Sequence, residues 1–203
     1  MLTIEWAETN PAQLIRRANL TSMGKRIPEN DTWKPTEKWA RSIVLSEEST
    51  LEYASLIISD DIRGDVAGHV VRHSAYHPRH VLQSSRPDWT NKDRPGPEVK
   101  RMYLGKWDIK ALIQASKERL CYRAMKETRE EFEAIKLYLL NSDDVLMKAV
   151  GWSLCPACIY RSDCPFGKRG CGWMNNGFCS DGWDVIEDRY DQYNAQFIRE
   201  HST

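Results

Sequence analysis

The chain has 203 residues, 41% of them hydrophobic and 29% charged, with 29 basic side chains against 29 acidic ones. That length fits one domain, or a domain with an appendage, with a core large enough to need no disulfides, and the composition excludes a disordered chain. Balanced charge excludes bulk attraction to nucleic acid or membrane, so any anion recognition has to be local.

The opening MLTIEWAETNPAQLIRRANL lacks a basic start, an apolar core and a small-residue cleavage site, so no signal peptide is expected. LTIEW reads as a short strand, and Thr9-Asn10-Pro11 is a start signal for a helix over AQLIRRAN. Residues 24–38 are polar with two prolines and read as a loop, with a helix following from about Thr36 to Leu45. From Ser49, STLEYASLIIS mixes apolar and small residues and then meets DDIRGD, which reads as a polar turn. VAGHVVRHS, from Val66, suits a strand or a helix start, and periodicity does not decide between them. Residues 87–98 carry three prolines and a glycine and are expected to be irregular.

From Asp108 to about Leu140 there is no Gly or Pro and strong helix formers dominate, which predicts one long helix. Beyond Gly151 the chain becomes rich in Cys, Gly and Trp and then ends in a polar tail. The apolar runs, such as the one ending at Ser59, fall far short of a membrane span. The expectation is a cytoplasmic protein with no membrane partner, whose six cysteines act as thiols or metal ligands rather than in disulfides.

Three constellations carry chemistry. The stretch 69–89 holds His69, His73, His77 and His80 among Arg72, Arg79 and Arg86, followed by Ser84-Ser85. A solvated basic loop would look similar. Interleaved arginines would repel a metal ion, and no wider basic field supports a nucleic-acid strip. A phosphate suits the pattern better, because arginine forks grip phosphate oxygens in pairs while Ser and His add hydrogen bonds.

On the predicted long helix, Arg119, Arg123 and Glu127 stand at i, i+4 and i+8 and would share one face, as a salt-bridged surface or as a placed functional set. The third constellation is Cys155, Cys158, Cys164, Cys171 and Cys179. Four thiolates can hold zinc or an iron-sulfur cluster, and spacing does not separate these from a set of reduced, partly buried thiols. Cys121, on the helix, reads as a small core residue.

Together these segments resemble the flavin-dependent thymidylate synthases. That family's signature begins Arg-His-Arg and ends Ser-x-Arg-Tyr, after a Ser/Thr-x-x-Glu-His segment. Here Ser49-Thr50-Leu51-Glu52-Tyr53 precedes Arg72-His73 at a family-like distance, and Ser84-Ser85-Arg86 matches the Ser-x-Arg ending. TNPAQLIRRA is similar to the family's N-terminal segment, and Glu98-Val99-Lys100-Arg101 to its Glu-Val-x-Arg. Leu112, then Arg119, then Ala124 and Glu127 keep the internal spacing of the family's helix, whose functional Arg precedes Ala-Gln-x-Glu. Ser74 replaces the third residue of Arg-His-Arg, Tyr53 and Pro87 stand where His and Tyr are usual, and the segment between Arg86 and Arg101 is shorter than the family's.

The resemblance implies an α/β (α+β) fold, a mixed sheet flanked by helices over residues 1–150, with a Cys-rich extension over 151–203 for which the cysteine spacing leaves metal binding and reduced thiols both open. It implies FAD-dependent transfer of a one-carbon unit from methylenetetrahydrofolate to C5 of deoxyuridine monophosphate, NADPH as reductant, and active sites shared within a homotetramer. By the same resemblance Ser84, Ser85, Arg86, Arg101 and His69 contact the nucleotide, Arg119 and Ser84 are catalytic, and Arg72, His73, Arg79, Glu52 and Arg123 contact FAD. Two other functions fit the same residues. One is a divergent pyrimidine-nucleotide C5 methylase or hydroxymethylase that supplies modified DNA, and the other is a non-catalytic nucleotide or nucleic-acid binding protein with a Cys-metal tail.

Overall fold

A computed structural model describes residues 1–27, 32–72, 78–84, 96–161, 163–171 and 185–201. It is a mixed α/β structure in two compact units, Met1–Lys34 with Glu48–Ala111 and Pro35–Glu47 with Leu112–Thr203. The division falls elsewhere than the expected split at residue 150, for reasons visible in the second unit's core.

The first unit is built on a four-stranded sheet in the order β1-β2-β4-β3: β1 (Thr3–Trp6), β2 (Ser55–Arg63), β3 (Arg79–Leu82) and β4 (Lys100–Asp108). All three pairings are antiparallel, so among the described residues the sheet is not the mixed one expected. The acidic DDIR, expected to turn, instead continues β2, with Asp60 opposite Tyr103 and Asp61 opposite Met102. Nine residues of β4 offer β2 a ladder partner at every step, and that pairing outweighs the weak strand preference of Asp.

Side chains alternate between the two faces of a strand. Ile4, Leu56, Ile58, Ile62, Tyr103 and Trp107 form the buried side, whereas Val81, Met102 and Leu104 stay exposed on the other. Two helices belong to this unit. α1 (Pro11–Ser22) starts on Pro11 as the sequence signals and packs its buried Ile15 side near the short 3-10 turn Ser49–Tyr53. VAGHVV resolves as helix α3 (Gly64–Val71), which packs on β2 and β4 through Val66, Ala67 and Val70.

The second unit is helical. α2 (Glu37–Ser46) is capped by Thr36, whose side chain accepts from the Trp39 N–H at 3.2 Å. The predicted long helix is two: α4 (Ile109–Arg119), which starts in the first unit under the Asp108 carboxylate, and α5 (Lys126–Leu140). Between them the Ala124 N–H turns back to the Cys121 carbonyl at 2.8 Å. No Gly or Pro announces this break. Helices in proteins are held chiefly by the face they bury, and Leu120 and Phe132, on either side of the turn, are both buried.

α6 (Val145–Ser153) packs against both α2 and α5 and is buried on nearly every side. At Gly151 a Cβ would stand 2.8 Å from both Leu139 Cβ and the Leu140 nitrogen, so only glycine permits this approach of α6 to α5. The residue that looked like a domain border is thus a helix contact. α7 (Ala157–Arg161) and α8 (Ile186–His201) complete the unit. The expected polar tail is a helix that buries Tyr190, Tyr193 and Phe197, an i, i+3, i+7 stripe.

Lys136 ties these pieces together. Fully buried, its ammonium donates to the carbonyls of Gly151 and Leu154 at 2.8 Å each and to Asn194 Oδ1 at 2.6 Å. It caps the C-terminal end of α6, where carbonyls lack helical partners, and links α5 to α8. Tail and helices therefore share one core. Among the described residues no helix is long and apolar enough to cross a membrane.

Candidate functional site

In the first unit the register of β3 against β4 brings together residues distant in sequence. Leu82 pairs with Tyr103, and the Gln83 N–H donates to the Met102 carbonyl at 2.8 Å, so the segment that leads to Ser84 runs to the end of β4 that carries Arg101. Alternation puts His80 and Leu82 on the face of Arg101 and Tyr103. The Arg101 guanidinium lies over Gly64 at the start of α3, where a Cβ would meet its Cζ at 3.1 Å. Glycine at position 64 thus makes room for that guanidinium.

Next along the same face, Tyr103 Oη accepts from Trp107 Nε1 at 2.8 Å and lies 2.9 Å from His80 Nδ1. Both rings lean over Gly105, where a Cβ would come within 2.0 Å of Tyr103 Oη. Burial pushes the Tyr103 phenol far above its ordinary range, so it stays protonated at any physiological pH.

The other predicted residues of this unit are spread around it. His69 is half-buried on α3, and Arg72 is exposed at its C-terminal end. Arg79 is exposed and projects to the face opposite His80 and Arg101, because it is one residue out of phase with His80. Glu52 pairs with Lys110 at 3.0 Å. Nearby, burial raises the Asp108 carboxyl above its usual range, and the charge of Glu52 adds to the effect. His73, Ser85 and Arg86 lie outside the described residues.

The second unit contains a cavity of about 460 Å³ whose lining includes Arg119, Cys121, Arg123, Cys158, Cys164 and Cys171. Arg119 ends α4, and Arg123 lies in the turn before α5, so the two reach the cavity through the bend and not along one helical face. Glu127 begins α5 and is not part of the lining. Arg123 donates to the Arg169 carbonyl and stacks 5.1 Å over the Phe166 ring. Arg123, expected to contact FAD, is thus engaged by the Cys-bearing loop.

The cysteines divide. Cys155 is fully buried in the core, its thiol paired with the Tyr190 hydroxyl and pushed up to about 11 by burial. It does not line the cavity. Cys158 is pushed up to about 12, first by burial and then by neighbouring cysteines. Cys179 lies outside the described residues. Cys121, read from sequence as a core residue, opens onto the cavity, and no signal in the sequence reveals the bend that turns it there. Among the described residues no three His, Cys, Asp or Glu side chains already stand together as metal ligands.

Compared with models of known protein families and with curated proteins, the chain matches none. What the residues can do chemically therefore has to be argued from their own placement. Ser84 with Arg101 offers a hydroxyl and a guanidinium to an anion, and the second cavity offers thiols flanked by arginines.

Proposed function

We propose that the protein transfers a one-carbon unit to C5 of a pyrimidine deoxynucleotide, with deoxyuridine monophosphate as the substrate, in the manner of the flavin-dependent thymidylate synthases it resembles. The observation that carries this reading is the juxtaposition of Ser84 and Arg101. The resemblance assigns both to the nucleotide, and they are 17 positions apart in sequence, yet the β3–β4 pairing brings the segments that carry them to one end of the sheet.

Arg101 binds the phosphate through its guanidinium fork, and the Ser84 hydroxyl donates to a phosphate oxygen. Ser85 and Arg86 continue the same segment and take the remaining phosphate oxygens. The resemblance assigns Arg119 to the pyrimidine, where a guanidinium stabilises charge that develops on the ring carbonyl as C5 becomes nucleophilic. Methylenetetrahydrofolate is the one-carbon donor, NADPH the reductant, and a homotetramer the working assembly.

For FAD the residues fit in part. Exposed Arg72, with His73 beside it, suits the cofactor's pyrophosphate, whereas Glu52 is held by Lys110 and Arg123 by the Arg169 carbonyl. When bound, the flavin supplies hydride chemistry, and the protein's part is to hold it beside the pyrimidine.

The test is binding. Protein reconstituted with FAD is expected to show flavin absorbance after desalting and to bind deoxyuridine monophosphate saturably, with affinity reduced at least tenfold in Ser84→Ala. A colourless protein with no affinity for any pyrimidine nucleotide would refute the proposal.

A further inference from the structure

We infer that the solvent-facing side of the β1-β2-β4-β3 sheet is a contact surface for a second copy of this chain, packed face to face about a two-fold axis that runs along the strands between β2 and β4. The register spells out this face residue by residue. One row across the four strands reads Glu5, Ile57, Lys106, Arg79, and the next reads Thr3, Ser59, Leu104, Val81. The pairing rests on this face alone and needs neither nucleotide nor flavin.

An antiparallel sheet that keeps one face in water ordinarily carries polar residues there. This face departs from that pattern near its centre. Val81 is 65% exposed, Met102 63% and Leu104 45%. The three are neighbours, since Val81 pairs with Leu104 across the ladder and Met102 is the next residue of β4 on the same side. A contiguous exposed apolar patch with charges around it marks an interaction surface. A sheet face offers area instead of a concave pocket, so its partner is a macromolecule and not a small ligand.

Charge commits that partner to the chain itself. Along the first row the acid, Glu5, stands on the β1 edge, and the bases, Lys106 and Arg79, stand on β4 and the β3 edge. Glu5 and Arg79 are both exposed, and Lys106 reaches the Glu8 carboxylate at 3.3 Å. Asp61 adds a carboxylate on the acidic half, 3.8 Å from the N-terminal ammonium. A two-fold axis along the strands lays β1 over β3, and β2 over β4, of the other copy. Glu5 then opposes Arg79 of the partner subunit, and symmetry repeats the contact on the other side. Stacked sheets stand about 10 Å apart, so Leu104 and Ile57 of both copies meet around the axis. An axis across the strands would lay β1 on β1 and β3 on β3, acid on acid and base on base.

Sedimentation velocity of the full-length protein over a concentration series tests the inference. The parent is expected to sediment as a dimer or a multiple of it, and Leu104→Glu should at least halve that mass while unfolding in urea like the parent. Glu5→Arg and Arg79→Glu should each raise the dissociation constant at least tenfold, because each sets like charges together twice. Mixing the two variants should restore assembly, since both contacts then join opposite charges. A parent that is monomeric at every concentration overturns the inference, as does an assembly indifferent to Leu104→Glu. So does a mixture that assembles no better than either variant alone. Should Leu104→Glu fail to fold, the charge-exchange mixture decides.

Discussion

Replacing Lys136 by Met removes a buried cation while keeping nearly the same side-chain length and volume, so no large cavity complicates the result. Three acceptors face the ammonium at 2.6–2.8 Å. The Gly151 carbonyl also accepts the Leu154 N–H at 3.3 Å, so it keeps a partner when Lys136 goes. The Leu154 carbonyl and Asn194 Oδ1 lose the donor they share. Each buried acceptor left unsatisfied costs about 1–3 kcal/mol. Stacking of Nζ over Tyr193 at 5.0 Å and Phe197 at 5.2 Å is lost as well. Against these stands the relief of no longer desolvating a charge, which is itself several kcal/mol. The balance is a destabilisation of about 2–3 kcal/mol, or roughly 5–10 °C in Tm for a chain of this size. Urea unfolding at pH 6, below the buried group's pKa of about 7 so that the ammonium is present, followed by tryptophan fluorescence measures it. A Lys136→Met protein as stable as the parent would refute the claim that this ammonium organises the junction of α5, α6 and α8.

The pH dependence of the same group gives a second test. Burial pulls the Lys136 pKa from 10.5 down to about 7. Between those values the unfolded chain binds the extra proton, so this group's contribution to stability rises with pH across that window, by at most a little over 1 kcal/mol per pH unit. Unfolding free energies of parent and Lys136→Met at several pH values should show that slope only in the parent. Gly151→Ala, which drives a Cβ against Leu139 and the α5 backbone, should cost about 1–3 kcal/mol by urea titration. Arg101→Lys keeps the charge but loses the fork, and it should weaken deoxyuridine monophosphate binding roughly 10- to 100-fold by calorimetry, with unfolding unchanged.

The elements most legible in the sequence were those with local signals. Asn10-Pro11 and Thr36 marked the starts of α1 and α2, and alternation marked β1. What failed was decided by distant partners. The strand through Asp60 and Asp61 depends on β4, about 40 positions away, and the break after Arg119 depends on which face each helix buries. The tail helix carried its aromatic stripe openly in Tyr190, Tyr193 and Phe197, but its polar composition hid it. At the site, residue types pointed to phosphate and thiolate chemistry. Register alone, invisible before strand pairing, brought the segment leading to Ser84 to the end of β4 that carries Arg101 and put Arg79 on the opposite face. Likewise Arg119 and Arg123 meet at one cavity through a bend, where the sequence suggested a shared helical face.

The central claim is tested most directly by turnover. Purified protein is incubated with FAD, NADPH, methylenetetrahydrofolate and deoxyuridine monophosphate, and the nucleotide product is weighed by mass spectrometry. The account predicts a product heavier than the substrate by one CH₂ unit, formed only when flavin and folate are both present and abolished in Arg119→Ala. Unchanged deoxyuridine monophosphate under these conditions, with a folded, flavin-loaded protein, would contradict it.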